Sequence, residues 1–239
     1  MNTGVTLTRL LQLASPLLPV GAFAYSQALE AAVENGTIAD AHGAKRWILD
    51  CLELGLARFE APIVLRLHAA WTRDDMDSVR RWNTRFLATR ESAELRAETV
   101  QMGFSLRRLM LDLATGAGDK STPADMQFSR AGLAELEAIE PLSYPAAFSF
   151  AAAQWKIGVR DALTAYLWSW CENQVSAAMK SVPLGQVAGQ RILVAAQEAV
   201  ARAAMKAQAI ADEDLANVLP ALAIASARHE TQYSRLFRS

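Results

Sequence analysis

The chain is poor in the residues that build turn-rich or disulfide-bonded folds. It has 12 glycines and 8 prolines among 239 residues, too few for an all-β sandwich with many turns. No segment alternates apolar and polar residues for long enough to predict a convincing strand. The two cysteines, Cys51 and Cys171, lie far apart among apolar neighbours, as buried thiols in a reducing compartment do. We therefore expect an all-α protein without a disulfide framework.

An excess of charge, a long apolar run and an export signal are also missing. Lysine and arginine number 24 against 25 aspartates and glutamates, so the formal net charge is −1 and no overall field attracts nucleic acid. The uncharged apolar stretch from Ala162 to Cys171 is much shorter than a membrane span. The start, Met1 to Leu13, carries Arg9 within its apolar pattern, unlike an export signal. These features predict a soluble, cytoplasmic protein that binds neither nucleic acid nor membranes.

Histidine is scarce, and the common catalytic motifs are absent. His42, His68 and His229 fall in three unrelated segments, which does not match the ligand spacing of a zinc or nickel site. We expect His42 to be exposed or to cap a helix, and His68 to be structural. The sequence has no phosphate-binding glycine loop, no G-x-S-x-G elbow and no histidine close to either cysteine. It therefore predicts no catalytic residue, no metal site and no cofactor.

Apolar residues recur at helical spacing through most of the chain. With 52% hydrophobic residues it can bury a substantial core, so we predict a single-domain bundle of roughly ten helices over residues 1–239, starting with a short helix. The expected boundaries lie at prolines, glycines and capping residues. One helix ends at Ser15-Pro16, one runs from Phe23 to Glu34, Asp40 caps the next and Pro62 interrupts it. Asp74 and Asp75 open another helix, and a long helix runs from Ser92 to Gly116. Thr122-Pro123 starts one that reaches Glu140, and Gly158, Pro183 and Pro220 separate the rest.

The acidic run Asp74-Asp75-Met76-Asp77 leaves an enzymatic alternative open. It is similar to the aspartate-rich helix that binds magnesium diphosphate in isoprenoid synthases, which are also all-α and alanine-rich. Those enzymes need carboxylates one helical turn apart, but position 78 is Ser78 and no second acidic motif follows. Helix capping explains the run better. An enzyme acting on an isoprenoid diphosphate is the alternative hypothesis.

Four arginines on the next predicted helix form a second candidate motif. Arg80, Arg81, Arg85 and Arg90 are expected to face outward, opposite an apolar stripe that includes Trp82. A basic stripe of this kind occurs on helices that read DNA, but nearby acidic residues and the net charge favour a solvated face.

Two stretches have residue patterns that indicate a functional role. In the first, Leu10 to Glu30, a Pro-x-Gly turn leads into a segment rich in aromatic and polar residues. In the second, Ala221 to Ser239, aromatic residues alternate with arginines, which is typical of docking anchors. The alternative is that the second stretch folds back on the protein's own core.

These stretches, together with the segment from Lys180 to Gln186, resemble the UreF family of urease accessory proteins. The shared patterns are L-x-x-L-P-x-G-x-F-x-Y-S-x-x-L-E near the start, K-x-V-P-L-G-Q in the last third and H-E-x-x-Y-S-R-L-F-x-S at the end. The resemblance implies three sets of partner-binding residues. They are Pro19, Gly21, Phe23, Tyr25, Ser26, Gln27 and Glu30; Lys180, Pro183, Gly185 and Gln186; and Arg228, His229, Glu230, Tyr233, Ser234, Arg235, Leu236 and Phe237.

The resemblance also implies a function. Members of the family are all-α scaffolds without enzymatic activity. They bridge a UreD (UreH) partner and the UreG GTPase on the urease apoprotein for nickel insertion, as homodimers. Residues 228–239 would then form a partly mobile docking tail with few internal contacts, whose removal blocks assembly and leaves most helices intact. The family often has serine and glycine where this chain has Ala24 and Ala28, and we expect both alanines to suit a helix.

Overall fold

The computed structural model describes residues 3–115 and 128–239, and all regular secondary structure in these ranges is helical. The predicted all-α class is confirmed. Short 3₁₀ or π segments at Ala22–Ala24, Cys51–Gly55 and Leu56–Arg58 connect some of the helices. The α-helices of the described ranges are α1 Thr3–Leu13, α2 Leu29–Glu34, α3 Ala41–Asp50, α4 Glu60–Thr72, α5 Met76–Ala88, α6 Ala93–Thr115, α7 Arg130–Glu137, α8 Tyr144–Gln154, α9 Val159–Ser181, α10 Gln186–Ala209 and α11 Pro220–His229.

The main hydrophobic core forms where α4 packs against α8 and α9 packs against α10. Trp71 of α4 and Phe150 of α8 meet edge to face with ring centroids 4.9 Å apart, and the Trp71 indole donates to the carbonyl of Ala146 at 3.0 Å. Cys51 and Cys171 are buried free thiols, as expected, and burial raises the pKa of each to about 12. Within residues 3–115 and 128–239, no helix is long and apolar enough to cross a membrane.

Several predicted helix starts are confirmed at atomic detail. Asp40 accepts a hydrogen bond from the Gly43 N–H at 2.8 Å, and Asp75 accepts one from the Ser78 N–H at 3.0 Å. The acidic run therefore caps α5, and no group of three or more metal-ligating side chains occurs in the part of the chain that the structure describes.

The histidine predictions hold where the structure tests them. His42 is exposed at the start of α3. His68 is buried, with its Nε2 2.9 Å from the carbonyl oxygen of Ile157, and burial lowers its pKa. Its role is thus structural.

The expected outward position of Arg90 is wrong. This side chain is only 10% exposed, its guanidinium lies 4.2 Å from the centroid of the Phe86 ring, and its Nη1 lies 3.4 Å from Oε2 of Glu60. Glu60 opens α4, which runs beside α5, so a carboxylate from the neighbouring helix holds the arginine inside. The other three arginines of the motif, Arg80, Arg81 and Arg85, are exposed or half-buried.

The bounds of one predicted helix also differ. The Thr122-Pro123 helix start lies outside the described residues, but the helix that was expected to reach Glu140 does not include Phe128 and Ser129, and α7 covers only Arg130–Glu137. Ser129 instead caps α7 by accepting from the Gly132 N–H at 3.0 Å.

Candidate functional site

The segment expected to form one helix from Phe23 to Glu34 is broken in the middle. A 3₁₀ turn ends at Ala24, α2 begins at Leu29, and between them Gln27 and Ala28 have φ of 50° and 64°. The single-helix prediction is wrong because two consecutive left-handed residues reverse the local chain direction. The expectation that Ala28 suits a helix is wrong for the same reason. The glycine that the resemblance gives at this position fits the left-handed backbone without strain.

This break turns polar side chains of the segment toward the end of the chain. Glu30, buried at the start of α2, accepts hydrogen bonds from the backbone N–H of Leu236 at 2.6 Å and from that of Phe237 at 3.0 Å. The Ser26 hydroxyl and backbone N–H both donate to the carbonyl of Ser239, at 2.6 and 2.8 Å. The first predicted motif therefore holds the tail by hydrogen bonds to its backbone.

His229 is the centre of a second set of contacts with the tail. The side chain is completely buried, with Nδ1 2.6 Å from Glu94 Oε2 and Nε2 3.4 Å from Glu30 Oε2. The other oxygen of Glu94 accepts from the Arg235 guanidinium. The imidazole, the two carboxylates and the guanidinium thus join α2, α6, α11 and the tail.

Glu98, one helical turn after Glu94, extends the cluster inward. Its carboxylate accepts from Gln27 Nε2 at 2.7 Å and from the Ser239 hydroxyl at 2.6 Å. Gln27 in turn accepts from the indole of Trp170 at 2.7 Å. Burial raises the pKa of Glu98 to about 7, against the opposing effect of these hydrogen bonds, and the nearby charge of Glu60 adds to the increase.

A small cavity of about 70 Å³ lies beneath the first motif, beside this carboxylate. Its lining includes Phe23 and Gln27 of the first motif together with Glu60 and Arg90. The Tyr166 hydroxyl donates to one oxygen of Glu60, and the Arg90 guanidinium donates to the other. Both oxygens of the Glu60 carboxylate are therefore hydrogen-bonded.

The second predicted motif reaches the cluster through one residue. Lys180, at the end of α9, places its Nζ 5.5 Å from the centroid of the Phe237 ring, a cation–π distance. Pro183, Gly185 and Gln186 are exposed in the turn between α9 and α10 and at the start of α10. Lys180 therefore links this segment to the tail.

The remaining predicted residues divide into structural and exposed groups. Gly21 has φ of 79° and Pro19 precedes it in an exposed turn, while Tyr25 is buried and its carbonyl accepts from Asn173 at 3.2 Å. Glu230 accepts from the backbone N–H of Ala93 at 2.7 Å and so satisfies the start of α6. Arg228 and Ser234 are exposed.

The tail has an inward and an outward side. His229, Phe237 and Ser239 are buried, so the expectation of few internal contacts is wrong. On the outward side, Leu236 is 71% exposed and Tyr233 is fully exposed. Both interpretations of the tail thus describe part of it: it folds back on the core, and it also presents two large apolar side chains to solvent.

Three residues of the cluster were missed by sequence reasoning: Glu94, Glu98 and Trp170. The only sequence signal was the spacing of the two glutamates, four apart on a helix, which places them on one face beside the expected core residues Leu95 and Thr99. Acidic residues are seldom buried without partners, and their partners here come from remote segments.

Comparison with known proteins decides the family. The family model of UreF matches residues 38–197. Urease accessory protein UreF of Azoarcus sp. (strain BH72) is 54% identical over 233 residues, which is 98% of this chain and 95% of the relative. The proteins of the same name from Dechloromonas aromatica (strain RCB) and Methylobacillus flagellatus are 52% and 46% identical over 239 residues, the whole length of both chains.

The chain belongs to the UreF family. The resemblance drawn from the three sequence motifs is thereby confirmed. The UreF family model covers the turn at 180–186, and the full-length relatives also span the first motif and the tail. The relatives are named as urease accessory proteins.

Proposed function

We propose that this UreF family member is a non-enzymatic adaptor of urease maturation in the cytoplasm. In this proposal it bridges a UreD/UreH-type partner and the UreG GTPase on the urease apoprotein, so that nickel is inserted into the urease active site. The names of the full-length relatives support the urease connection. The observation that carries the adaptor role is that three motifs from distant parts of the sequence meet around one ordered tail.

The tail has the properties of a preformed docking surface. Tyr233 and Leu236 are exposed, yet the backbone N–H of Leu236 is fixed by Glu30 and the Arg235 side chain is held by Glu94. Large apolar side chains on a fixed backbone are effective anchors, because little conformational entropy remains to be lost on binding. A partner would bury both side chains and contact the nearby Lys180 and Arg228 at the rim.

Self-association as a homodimer is part of the same proposal. The long helix α10 exposes Val187, Val194 and Met205 by 66, 62 and 65%. The two valines are seven residues apart and so lie along one side of the helix. An apolar face of this kind supports pairing with a second copy, and light scattering showing only monomers at high concentration, alone and with the UreD/UreH-type partner, would count against it.

Complementation tests the proposed function. The full chain should co-purify with the urease subunits and the other accessory proteins, and it should restore nickel-dependent urease activity to cells that lack their own copy. Tyr233→Ala should reduce this activation strongly. Phe104→Ala removes a 51%-exposed aromatic side chain from α6 and should leave activation unchanged. Failure of the unaltered chain to associate with any urease component would refute the proposal.

A further inference from the structure

Three arginine side chains surround a single tryptophan on the α4–α5 hairpin. The guanidinium carbons of Arg66, Arg81 and Arg85 lie 5.3, 5.1 and 5.4 Å from the centroid of the Trp82 ring. Trp82 itself is only 4% exposed, so the ring lies beneath the arginines. Each guanidinium is held by a cation–π contact, which limits its rotational freedom before any ligand arrives.

An open groove of about 620 Å³ lies beside this cluster. It runs between α4, α5 and the end of α10, and its lining includes Arg66, Arg73, Arg81 and Ser78. Its size is sufficient for several side chains of an extended peptide.

Positive charge in the groove exceeds the carboxylates that could neutralise it. The charge of Arg66 is already neutralised, because its guanidinium pairs with Asp212 at 2.6 Å and also donates to two backbone carbonyls. Arg73 and Arg81, which also line the groove, have no salt-bridge partner in the described part of the chain. The pKa of the nearby Asp75 is lowered, mainly by hydrogen bonds from Ser78 and further by the charges of Arg73 and Arg81.

We propose that this groove binds an acidic peptide segment of a partner protein. The carboxylates of two aspartates or glutamates would pair with Arg73 and Arg81, which line the groove, and the Trp82 ring would keep the Arg81 guanidinium in place. Arginine suits this task because its planar fork binds a carboxylate through two parallel hydrogen bonds.

The groove is separate from the tail surface, and this inference goes beyond the proposed adaptor function. Glu60 and Arg90 lie at the end of the α4–α5 hairpin near the tail cluster, whereas Arg73 follows the other end of α4. The 13 residues of α4 span about 20 Å at the usual helical rise. An acidic segment could therefore bind here while the tail is occupied.

The same observations favour a peptide over a nucleic acid. Asp212 lines the groove and Asp75 lies beside it, and both would repel a continuous phosphate backbone. Trp82 is covered, so it offers no face on which a base could stack. A short acidic segment can place its carboxylates between these fixed negative charges.

Fluorescence anisotropy with a fluorescein-labelled hexaglutamate peptide tests the proposal on the full chain. We expect saturable binding at low ionic strength that weakens as salt is added. Arg73→Gln and Arg81→Gln should each raise Kd about 5-fold. Arg80→Gln removes the same charge from the adjacent position, where the side chain pairs with Glu135 at 3.2 Å on another side of α5, and it should change Kd less than about 2-fold.

Three results would overturn the proposal. One is the absence of binding at low salt by a chain whose circular dichroism shows it to be folded. Another is equal weakening by Arg80→Gln and Arg81→Gln, which would indicate attraction by net charge alone. The third is tighter binding of a labelled single-stranded oligonucleotide than of the peptide, which would make the groove a nucleic-acid surface. None of these results bears on urease activation, so the peptide-binding proposal and the proposed adaptor function are tested independently.

Discussion

The carboxylate of Glu30 accepts a hydrogen bond of 2.6 Å from the backbone N–H of Leu236, 206 positions further along the chain. Its second oxygen accepts from the next backbone N–H, that of Phe237, at 3.0 Å. Hydrogen bonds to a buried charged group are among the stronger single interactions in proteins, at about 1.5–3 kcal/mol each. One side chain of the first motif thus fixes the direction in which the tail presents its exposed residues.

Replacing this carboxylate should release the tail. Glu30→Gln keeps the size of the side chain but removes the charge that the two N–H groups and His229 share. We expect the amide hydrogens of Leu236 and Phe237 to exchange at least 10-fold faster, since about 1.4 kcal/mol corresponds to a factor of ten. Glu34→Gln, at an exposed position of the same helix, is the control and should leave their exchange unchanged. Unaltered protection in Glu30→Gln would show that Glu30 does not hold the tail.

The left-handed backbone at Ala28 predicts that glycine at this position stabilises the protein, although replacing alanine by glycine usually destabilises one. Ala28 has φ of 64°, where a Cβ is unfavourable, so Ala28→Gly should stabilise the protein by about 1 kcal/mol. Ala32→Gly, within α2, should instead destabilise it by at least about 1 kcal/mol. Urea denaturation would measure both. Destabilisation by Ala28→Gly would contradict the left-handed turn between the 3₁₀ segment and α2.

Glu98 should make stability depend on pH in a definite direction. Its pKa is about 7 in the folded protein against 4.5 for an ordinary glutamate, so the folded state holds a proton that the unfolded state has released. The stabilising contribution is complete below pH 4.5 and is lost as the pH rises through about 7, by up to about 3 kcal/mol.

The comparison with Glu98→Gln isolates this contribution. The difference in free energy of unfolding between the unaltered chain and Glu98→Gln should shift in favour of the variant between pH 4.5 and 7. A difference that stays constant over this range would mean that Glu98 is ionised normally in the folded protein.

The two sides of the tail should respond differently to truncation of single side chains. Phe237 is 6% exposed and lies under Lys180, so Phe237→Ala should lower the free energy of unfolding by about 3 kcal/mol. Tyr233 is fully exposed, so Tyr233→Ala should change it by less than about 0.5 kcal/mol. Equal effects in thermal denaturation would contradict the division into an inward and an outward side.

Removal of residues 228–239 is expected to have a larger effect on folding than the sequence suggested. Deletion would take away His229, Phe237 and Ser239, and would leave Glu30, Glu94 and Glu98 without several of their hydrogen-bond partners. We therefore expect both partner assembly and stability to suffer. A deleted chain with unchanged thermal stability would show that these contacts contribute little.

The sequence predicted the helices better than the site, for physical reasons. The long helix that includes Leu95, Met102 and Met110 was correctly predicted because a 3.6-residue apolar period is a property of the chain itself. The turn at Gln27 and Ala28 was missed because neither residue is one that usually adopts positive φ.

The burial of charge was the other feature that the sequence did not reveal. Arg90 faces inward only because Glu60 lies opposite on another helix, and Glu98 is buried only because Gln27 and Ser239 donate to it. Such partnerships depend on tertiary contacts between segments far apart in sequence, which local periodicity does not encode. The motif residues themselves were found through the resemblance, while their arrangement around the tail came from the structure.

The affinity of the tail surface for the UreD/UreH-type partner is the most direct test of the adaptor role. The Tyr233→Ala/Leu236→Ala double variant removes both outward side chains without touching a buried contact, and we expect its Kd to rise at least 100-fold, about 2.7 kcal/mol or more for two anchors. Phe104→Ala should bind like the unaltered chain. If the double variant is folded and binds the partner with unchanged affinity, the tail is not the docking surface.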